Sequence, residues 1–136
     1  MVKRVKIALV FDHCSSPVHD VIHAVAKAIG SKVYRPASER ELQDGLARVL
    51  TETFGADVAR EVVLTAQDRP DFMVRRVAVE VKTQGSLSAL TRQIHRYAHL
   101  PAVDGVLVVS TLRRLSNLPR TINGKPVAVV IAGGAL

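Results

Sequence analysis

Three side chains within residues 69–82 are suited to phosphodiester hydrolysis. This stretch reads RPDFMVRRVAVEVK and carries the acids Asp71 and Glu80 and the cation Lys82. Cutting a phosphodiester requires neutralised charge on the phosphate, an activated water and a stabilised leaving oxygen. Mg²⁺ supports such chemistry and is typically held by one or two protein carboxylates together with phosphate oxygens. The residue types therefore predict a metal-dependent site.

The alternation of residue types predicts that Glu80 and Lys82 project from the same face of a strand. Alternate side chains of a strand share a face, so the stretch separates into a valine face and a mixed face. The first holds Val77, Val79 and Val81, and the second holds Ala78, Glu80 and Lys82. We expect the valines to face a core and the two charged residues to line a cleft.

A turn at Arg75-Arg76 brings Asp71 towards Glu80. In a hairpin centred on this turn, the numbers of facing residues sum to about 151, and Asp71 and Glu80 have that sum. A β-bulge would shift the pairing by one residue. A simpler interpretation also stays open, because a lone Glu-x-Lys is often an exposed surface ion pair.

The order of these residues resembles the PD-(D/E)XK nuclease motif, with Pro70-Asp71 followed by Glu80-Val81-Lys82. Downstream, Gln93 and Tyr97 are similar to the Q-x-x-x-Y signature of the RecB-like branch. They are spaced to share a helix face. The resemblance covers roughly Ser38 to Ile131, where the predicted element order matches the α-β-β-β-α-β core of that superfamily.

The resemblance implies a role for each matching residue. Asp71 and Glu80 would bind Mg²⁺ or Mn²⁺, with the Val81 carbonyl as a further ligand. Lys82 would position or activate the attacking water. Gln93 and Tyr97 would orient the substrate backbone or support the site.

A further acid from the first core helix is also common in the superfamily. Glu39 is the candidate, because it lies three and seven residues before Leu42 and Leu46, on or beside the inward face. Glu41 competes with it. The spacing from Ser38 favours a capping-box role for Glu41 over metal binding.

The net charge of +7 suits a partner rich in phosphate, although many basic proteins bind no nucleic acid. The third predicted helix has an outward stripe of Arg92, His95, Arg96 and His99. A later segment contains Arg113, Arg114 and Arg120. We expect Arg92, Arg96, Arg113 and Arg114 to contact DNA phosphates, whereas a merely solvated surface is the alternative.

Hydrophobic spacing and turn residues predict three helices and six strands. The helices cover Val18 to Ile29, Ser38 to Gly55, and Ser86 to Leu100. The strands cover Val5 to Phe11, Val58 to Thr65, Asp71 to Val74, Val77 to Lys82, Gly105 to Val109, and Val127 to Ile131. Between the last two strands, Arg113 to Lys125 is predicted as a loop or short helical turn.

This order predicts an α/β fold with a restriction-endonuclease-like core, a central mixed sheet and flanking helices. With 136 residues and 48% hydrophobic content, one domain is expected. Residues 38–136 would form the catalytic core. Residues 1–37 would add an N-terminal strand-helix extension, which either extends the sheet or forms a surface for homo-oligomerisation.

A single cysteine, Cys14, excludes an internal disulfide and favours a reducing, cytoplasmic location. The apolar start is too short to span a bilayer and has no clear cleavage site, so no membrane partner is expected. The nearby Asp12, His13, Cys14, His19 and His23 do not form a convincing zinc ligand set.

The sequence therefore predicts a Mg²⁺-dependent enzyme that hydrolyses DNA and recognises DNA structure or ends more than a long sequence. Endonuclease, exonuclease and junction-resolvase activities all stay open. The alternative is a catalytically inactive nuclease fold that binds DNA or protein, because a fold does not fix a function.

Overall fold

The structure is a computed structural model that describes residues 17–35 and 37–132. Its first helix, α1 (Pro17–Gly30), confirms the first predicted helix. The buried residues recur every three or four positions and form one apolar face. They are Ile22, Val25, Ala26 and Ile29. The predicted strand from Val5 to Phe11 lies outside the described residues, as do Asp12, His13 and Cys14.

The second helix, α2 (Glu39–Phe54), begins where its capping residues require. The Ser38 hydroxyl accepts a hydrogen bond from the Glu41 N–H at 3.1 Å, and the Glu41 carboxylate accepts one from the Ala37 N–H at 2.7 Å. This arrangement confirms the predicted N-terminal capping and occupies the Glu41 side chain. The helix ends at Gly55, whose φ of +56° favours glycine.

Six strands form a mixed sheet flanked by helices, which makes the described chain an α/β protein. The strands are β1 (Val58–Arg60), β2 (Phe72–Val74), β3 (Val77–Lys82), β4 (Gly105–Ser110), β5 (Thr121–Ile122) and β6 (Lys125–Ile131). Their spatial order is β1-β2-β3-β4-β6-β5. The central pairs β3–β4 and β4–β6 are parallel, and the remaining pairs are antiparallel.

Helices cover both faces of the sheet, and each layer has its own hydrophobic core. On one face, α1 and α2 pack against the side chains of Val77, Val79 and Val81 and their neighbours. On the other, α3 (Leu87–Ala98) packs against Ala78 and Val106. Strands buried on both faces are expected to be nearly continuous in apolar residues, as β4 is.

Two parts of the predicted strand pattern are wrong. The strand predicted from Val58 to Thr65 ends at Arg60, because Glu61 adopts a φ of +53° that breaks the extended backbone. Val62 and Leu64 beyond it pack as part of a loop against the second core. The segment 61–71 therefore connects β1 to β2 across the α3 side of the sheet.

The second error lies in the segment predicted as a loop or short helical turn. A 3₁₀ turn at Arg113–Ser116 fits that prediction, but Thr121 and Ile122 form β5 and pair with β6. The two strands are joined by Asn123 and Gly124, with φ values of +53° and +72°. Asn-Gly is a strong hairpin signal because both residues tolerate positive φ.

Among the described helices, none is long and apolar enough to cross a membrane.

Candidate active site

The turn between β2 and β3 has the predicted register. Phe72 pairs with Val79, Met73 with Ala78 and Val74 with Val77, so each pair of numbers sums to 151. Asp71 directly precedes β2, and the next step of this register sets it opposite Glu80. Both predicted acids therefore lie at the same end of the β2–β3 hairpin.

Glu80 is buried and held by three donors from its own chain. Only 4% of the residue is exposed, which rules out the interpretation as a surface ion pair. Its Oε1 accepts a hydrogen bond from the Tyr97 hydroxyl at 2.9 Å, and its Oε2 accepts one from Gln93 Nε2 at 3.0 Å. Lys82 Nζ lies 3.5 Å from Oε2. The predicted Glu80, Lys82, Gln93 and Tyr97 thus form one cluster.

The third helix supplies two of these donors because of its periodicity. Gln93 and Tyr97 are four residues apart on α3 and project from one face. Gln93 Nε2 also donates to the Tyr97 hydroxyl oxygen at 3.1 Å, which links the two side chains to each other as well as to Glu80. Both side chains therefore hydrogen-bond to Glu80.

Asp71 is held from the opposite layer of the fold. Its Oδ2 accepts a hydrogen bond from the Val81 N–H at 2.7 Å, and its Oδ1 accepts one from Gln43 Nε2 of α2 at 3.1 Å. Helix α2 therefore orients Asp71, whereas α3 orients Glu80. The candidate site lies at the end of the sheet, between the two helical layers.

Burial and neighbouring carboxylates disfavour the charged forms of both acids. Burial, followed by the nearby Asp71 carboxylate, raises the pKa of Glu80 to about 7, against the opposing effects of Lys82 and Tyr97. Burial likewise raises the pKa of Asp71, although the Val81 N–H and Lys82 oppose the shift. The pKa of the Tyr97 hydroxyl is raised by burial and by Glu80, so this group remains a donor. A bound cation would offset the repulsion between the acids.

The position of Val81 bears on its predicted role as a ligand. Continuing the register sets Pro70 opposite Val81, and proline has no N–H to donate. Regular pairing of β2 with β3 cannot continue at this point. The Val81 N–H instead donates a hydrogen bond to the Asp71 carboxylate. Pro70 has no N–H that could donate to the Val81 carbonyl oxygen.

Glu39 lies near Asp71 but contacts the backbone. Its Oε1 accepts a hydrogen bond from the Thr83 N–H at 3.0 Å, just beyond β3. Its charge also contributes to the raised pKa of Asp71. Glu39 therefore reaches the end of β3, whereas Glu41 is engaged at the N-terminus of α2.

The fit of the site to a divalent cation rests on two carboxylates. No group of three or more His, Cys, Asp or Glu side chains in the described ranges converges as a metal site. Glu39 is therefore not gathered with Asp71 and Glu80 into a three-acid cage. Two carboxylates with unused lone pairs, and a neighbouring carbonyl, still match the oxygen ligands and low protein ligand number of Mg²⁺.

The four predicted DNA-binding arginines have different environments. Arg92 and Arg113 are exposed. Arg114 donates from Nη1 to the Gly85 carbonyl at 2.6 Å, and Arg96 donates from Nε to Asp68 Oδ1 at 3.0 Å. Arg96 is thus not simply part of a solvated stripe, because it is paired within the fold to an acid that is 6% exposed.

Sequence reasoning missed Gln43 and Asp68. Gln43 follows Glu39 by four residues, so the face of α2 that places Glu39 near the site also places Gln43 there. This spacing was available in the sequence. Asp68 gave no such signal, because its partner Arg96 is 28 residues away.

Comparison of the chain with protein-family models, curated proteins and solved structures gave no match.

Proposed function

We propose that this protein is a metal-dependent nuclease that hydrolyses DNA phosphodiester bonds at the Asp71–Glu80–Lys82 site. The observation that carries the proposal is the burial of Glu80 beside a second carboxylate and Lys82, with the pKa of Glu80 raised to about 7. Acids whose pKa values are strongly shifted are typical of functional sites. We also propose that α2-β1-β2-β3-α3-β4 is a restriction-endonuclease-like core.

Asp71 and Glu80, with the Val81 carbonyl, would hold Mg²⁺ or Mn²⁺. Glu39 is not gathered with them as a third direct ligand, and as the proposed additional acid it would act on the ion through its charge beside Asp71. When bound, the ion supplies charge neutralisation on the phosphate and lowers the pKa of a coordinated water. Lys82 Nζ is placed to orient a water or a phosphate oxygen, since it lies 3.5 Å from Glu80 Oε2 and 28% of its side chain is exposed. Gln93 and Tyr97 keep the Glu80 oxygens in place.

The charge distribution supports a nucleic-acid substrate. Beyond Glu80, the chain has one acid, Asp104, against seven lysines and arginines. Helix α3 contacts the Arg113–Ser116 turn, so several of these cations lie on the α3 side of the sheet. A surface of this kind binds phosphates without reading bases. We propose DNA structure or DNA ends as the recognised feature.

Cleavage assays test the proposal directly. Plasmid, linear, single-stranded and branched DNA are incubated with the protein in Mg²⁺, Mn²⁺ or EDTA. We expect cleavage that requires metal and that falls by about a hundredfold or more in Glu80→Gln and in Lys82→Ala. Glu52→Gln is the matched control, because it removes an exposed carboxylate of α2.

Two results would contradict the proposed nuclease activity. The first is cleavage in EDTA, and the second is full activity in both site variants. DNA binding without cleavage in any metal would identify a binding module on the same fold. Because all four DNA forms are compared, the assay also identifies the preferred substrate.

A further inference from the structure

Arg96 and Asp68 form an ion pair that connects α3 to the segment 61–71. Arg96 Nε lies 3.0 Å from Asp68 Oδ1, and the exposed fractions of the two side chains are 46% and 7%. A carboxylate buried to this degree requires partners, and removing one of them is costly. The ion pair therefore fixes the segment 61–71 relative to α3.

Asp68 is also the centre of a tight turn. Its Oδ2 accepts a hydrogen bond from the Thr65 hydroxyl at 2.8 Å, and its carbonyl oxygen accepts one from the Leu64 N–H at 2.9 Å. In return, the Thr65 hydroxyl oxygen accepts from the N–H groups of Gln67 and Asp68. These bonds make residues 64–68 a compact unit that Arg96 anchors to α3.

The chain reaches Asp71 only three residues after this turn. The buried Pro70 has a restricted φ, which limits the conformations of the connection. The carbonyl of Asp71 accepts a hydrogen bond from the Glu61 N–H at 2.9 Å, which closes the segment on its other side. The position of Asp68 therefore restricts where the backbone of Asp71 can lie.

Arg96 belongs to the same turn of α3 as the two residues that hold Glu80. Gln93, Arg96 and Tyr97 occupy positions i, i+3 and i+4, which are neighbours on a helix surface. Two of them bind Glu80 directly, and the third binds the turn that leads to Asp71.

We propose that Arg96 and Asp68 are positioning residues that hold Asp71 against Val81, so that one turn of α3 sets the positions of both acids. The catalytic consequence of this inference rests on the proposed function. Its structural consequence is independent of any reaction, because the hydrogen bond from the Val81 N–H to Asp71 reports the position of the carboxylate.

Amide hydrogen exchange measured by NMR tests the structural consequence. We expect Arg96→Met and Asp68→Ala to lower the protection of the Val81 amide by about tenfold relative to that of Val79. Val79 is the internal reference, since it pairs with Phe72 within the regular part of the hairpin and reports general loss of stability. Asp68→Asn, which keeps an oxygen acceptor for Arg96, should retain part of the protection.

Arg92→Met is the matched control, because Arg92 lies one turn earlier on α3 and is also exposed. It should leave the protection of Val81 unchanged and weaken DNA binding in EDTA. Arg96→Met should instead raise the Mg²⁺ concentration for half-maximal cleavage by about tenfold, with DNA affinity changed by no more than about twofold.

Unchanged protection of Val81 in both Arg96→Met and Asp68→Ala would overturn the inference. If Arg96→Met then weakens DNA binding as Arg92→Met does, Arg96 is a DNA contact. If the wild-type protein cleaves nothing, the proposed function fails, and the exchange measurement still decides whether Arg96 and Asp68 position Asp71.

Discussion

The Tyr97 hydroxyl donates a hydrogen bond to Glu80 Oε1 at 2.9 Å and thereby joins α3 to the acid on β3. This contact favours the charged form of Glu80, whose pKa is otherwise raised by burial. The two side chains belong to elements separated by a loop and are both nearly inaccessible. Their contact therefore links the packing of α3 to the electrostatics of the candidate site.

Tyr97→Phe should raise the pKa of Glu80 further, because it removes a donor that stabilises the carboxylate. We expect the acidic limb of the pH dependence of cleavage to move to higher pH, and the unfolding free energy to fall by about 1–3 kcal/mol. Tyr34→Phe is the control. The Tyr34 hydroxyl is buried without a hydrogen-bond partner in the described part of the chain, so its loss should cost little. Equal effects of the two substitutions would contradict the prediction.

The stability of the metal-free protein should decrease as the pH rises from about 4.5 to about 7, relative to Glu80→Gln. In this window an unfolded Glu80 is ionised, whereas the folded residue keeps its proton because its pKa is raised from 4.5 to about 7. The folded state binds more protons, so a rise in pH favours unfolding, by up to about 3 kcal/mol. Urea unfolding at pH 5 and pH 8 measures the difference. If the stabilities of the two proteins change with pH in the same way, the pKa of Glu80 is not raised in the folded state.

Glu39→Gln separates metal binding from hydrogen bonding. Glutamine keeps an oxygen to accept the Thr83 N–H, so we expect unchanged stability together with an about tenfold higher Mg²⁺ requirement for cleavage. Glu41→Gln, two residues later on α2, changes a capping side chain and should leave the Mg²⁺ requirement unchanged. A normal requirement in Glu39→Gln would assign Glu39 a structural role only.

Gly105→Ala tests the packing of α1 on β4. A Cβ at Gly105 would lie 2.8 Å from Ile22 Cδ1 and 2.9 Å from Val18 Cγ2, so at least these side chains of α1 must shift. We expect a loss of about 1–3 kcal/mol in unfolding free energy. Gly45→Ala is the matched control, because its Cβ would meet Tyr34 at an ordinary 3.5 Å within α2. Higher helix propensity should stabilise that variant by up to about 1 kcal/mol. Thermal or urea unfolding distinguishes the two outcomes.

Much of the local structure follows from the sequence. Ser38 and Ser86 cap the helices that they were expected to begin, and the turn at Arg75-Arg76 sets the register of β2 with β3. These features depend on residues close together in the chain. The error at β1 arose because the backbone reverses at Glu61, a residue type that rarely adopts positive φ. The hairpin at Asn123-Gly124 was missed although its signal was present.

The sequence by itself determined the helices, most of the strands and the meeting of Asp71 with Glu80, because capping, periodicity and turn spacing act over a few residues. Only the tertiary structure decided that Glu80 is buried, that Gln43 holds Asp71 and that Arg96 pairs with Asp68. These contacts join residues 28 positions apart in the chain, and no local pattern encodes the packing of one layer on another. The raised pKa of Glu80 follows from that packing, since it depends on the exclusion of water and on charges brought together by the fold.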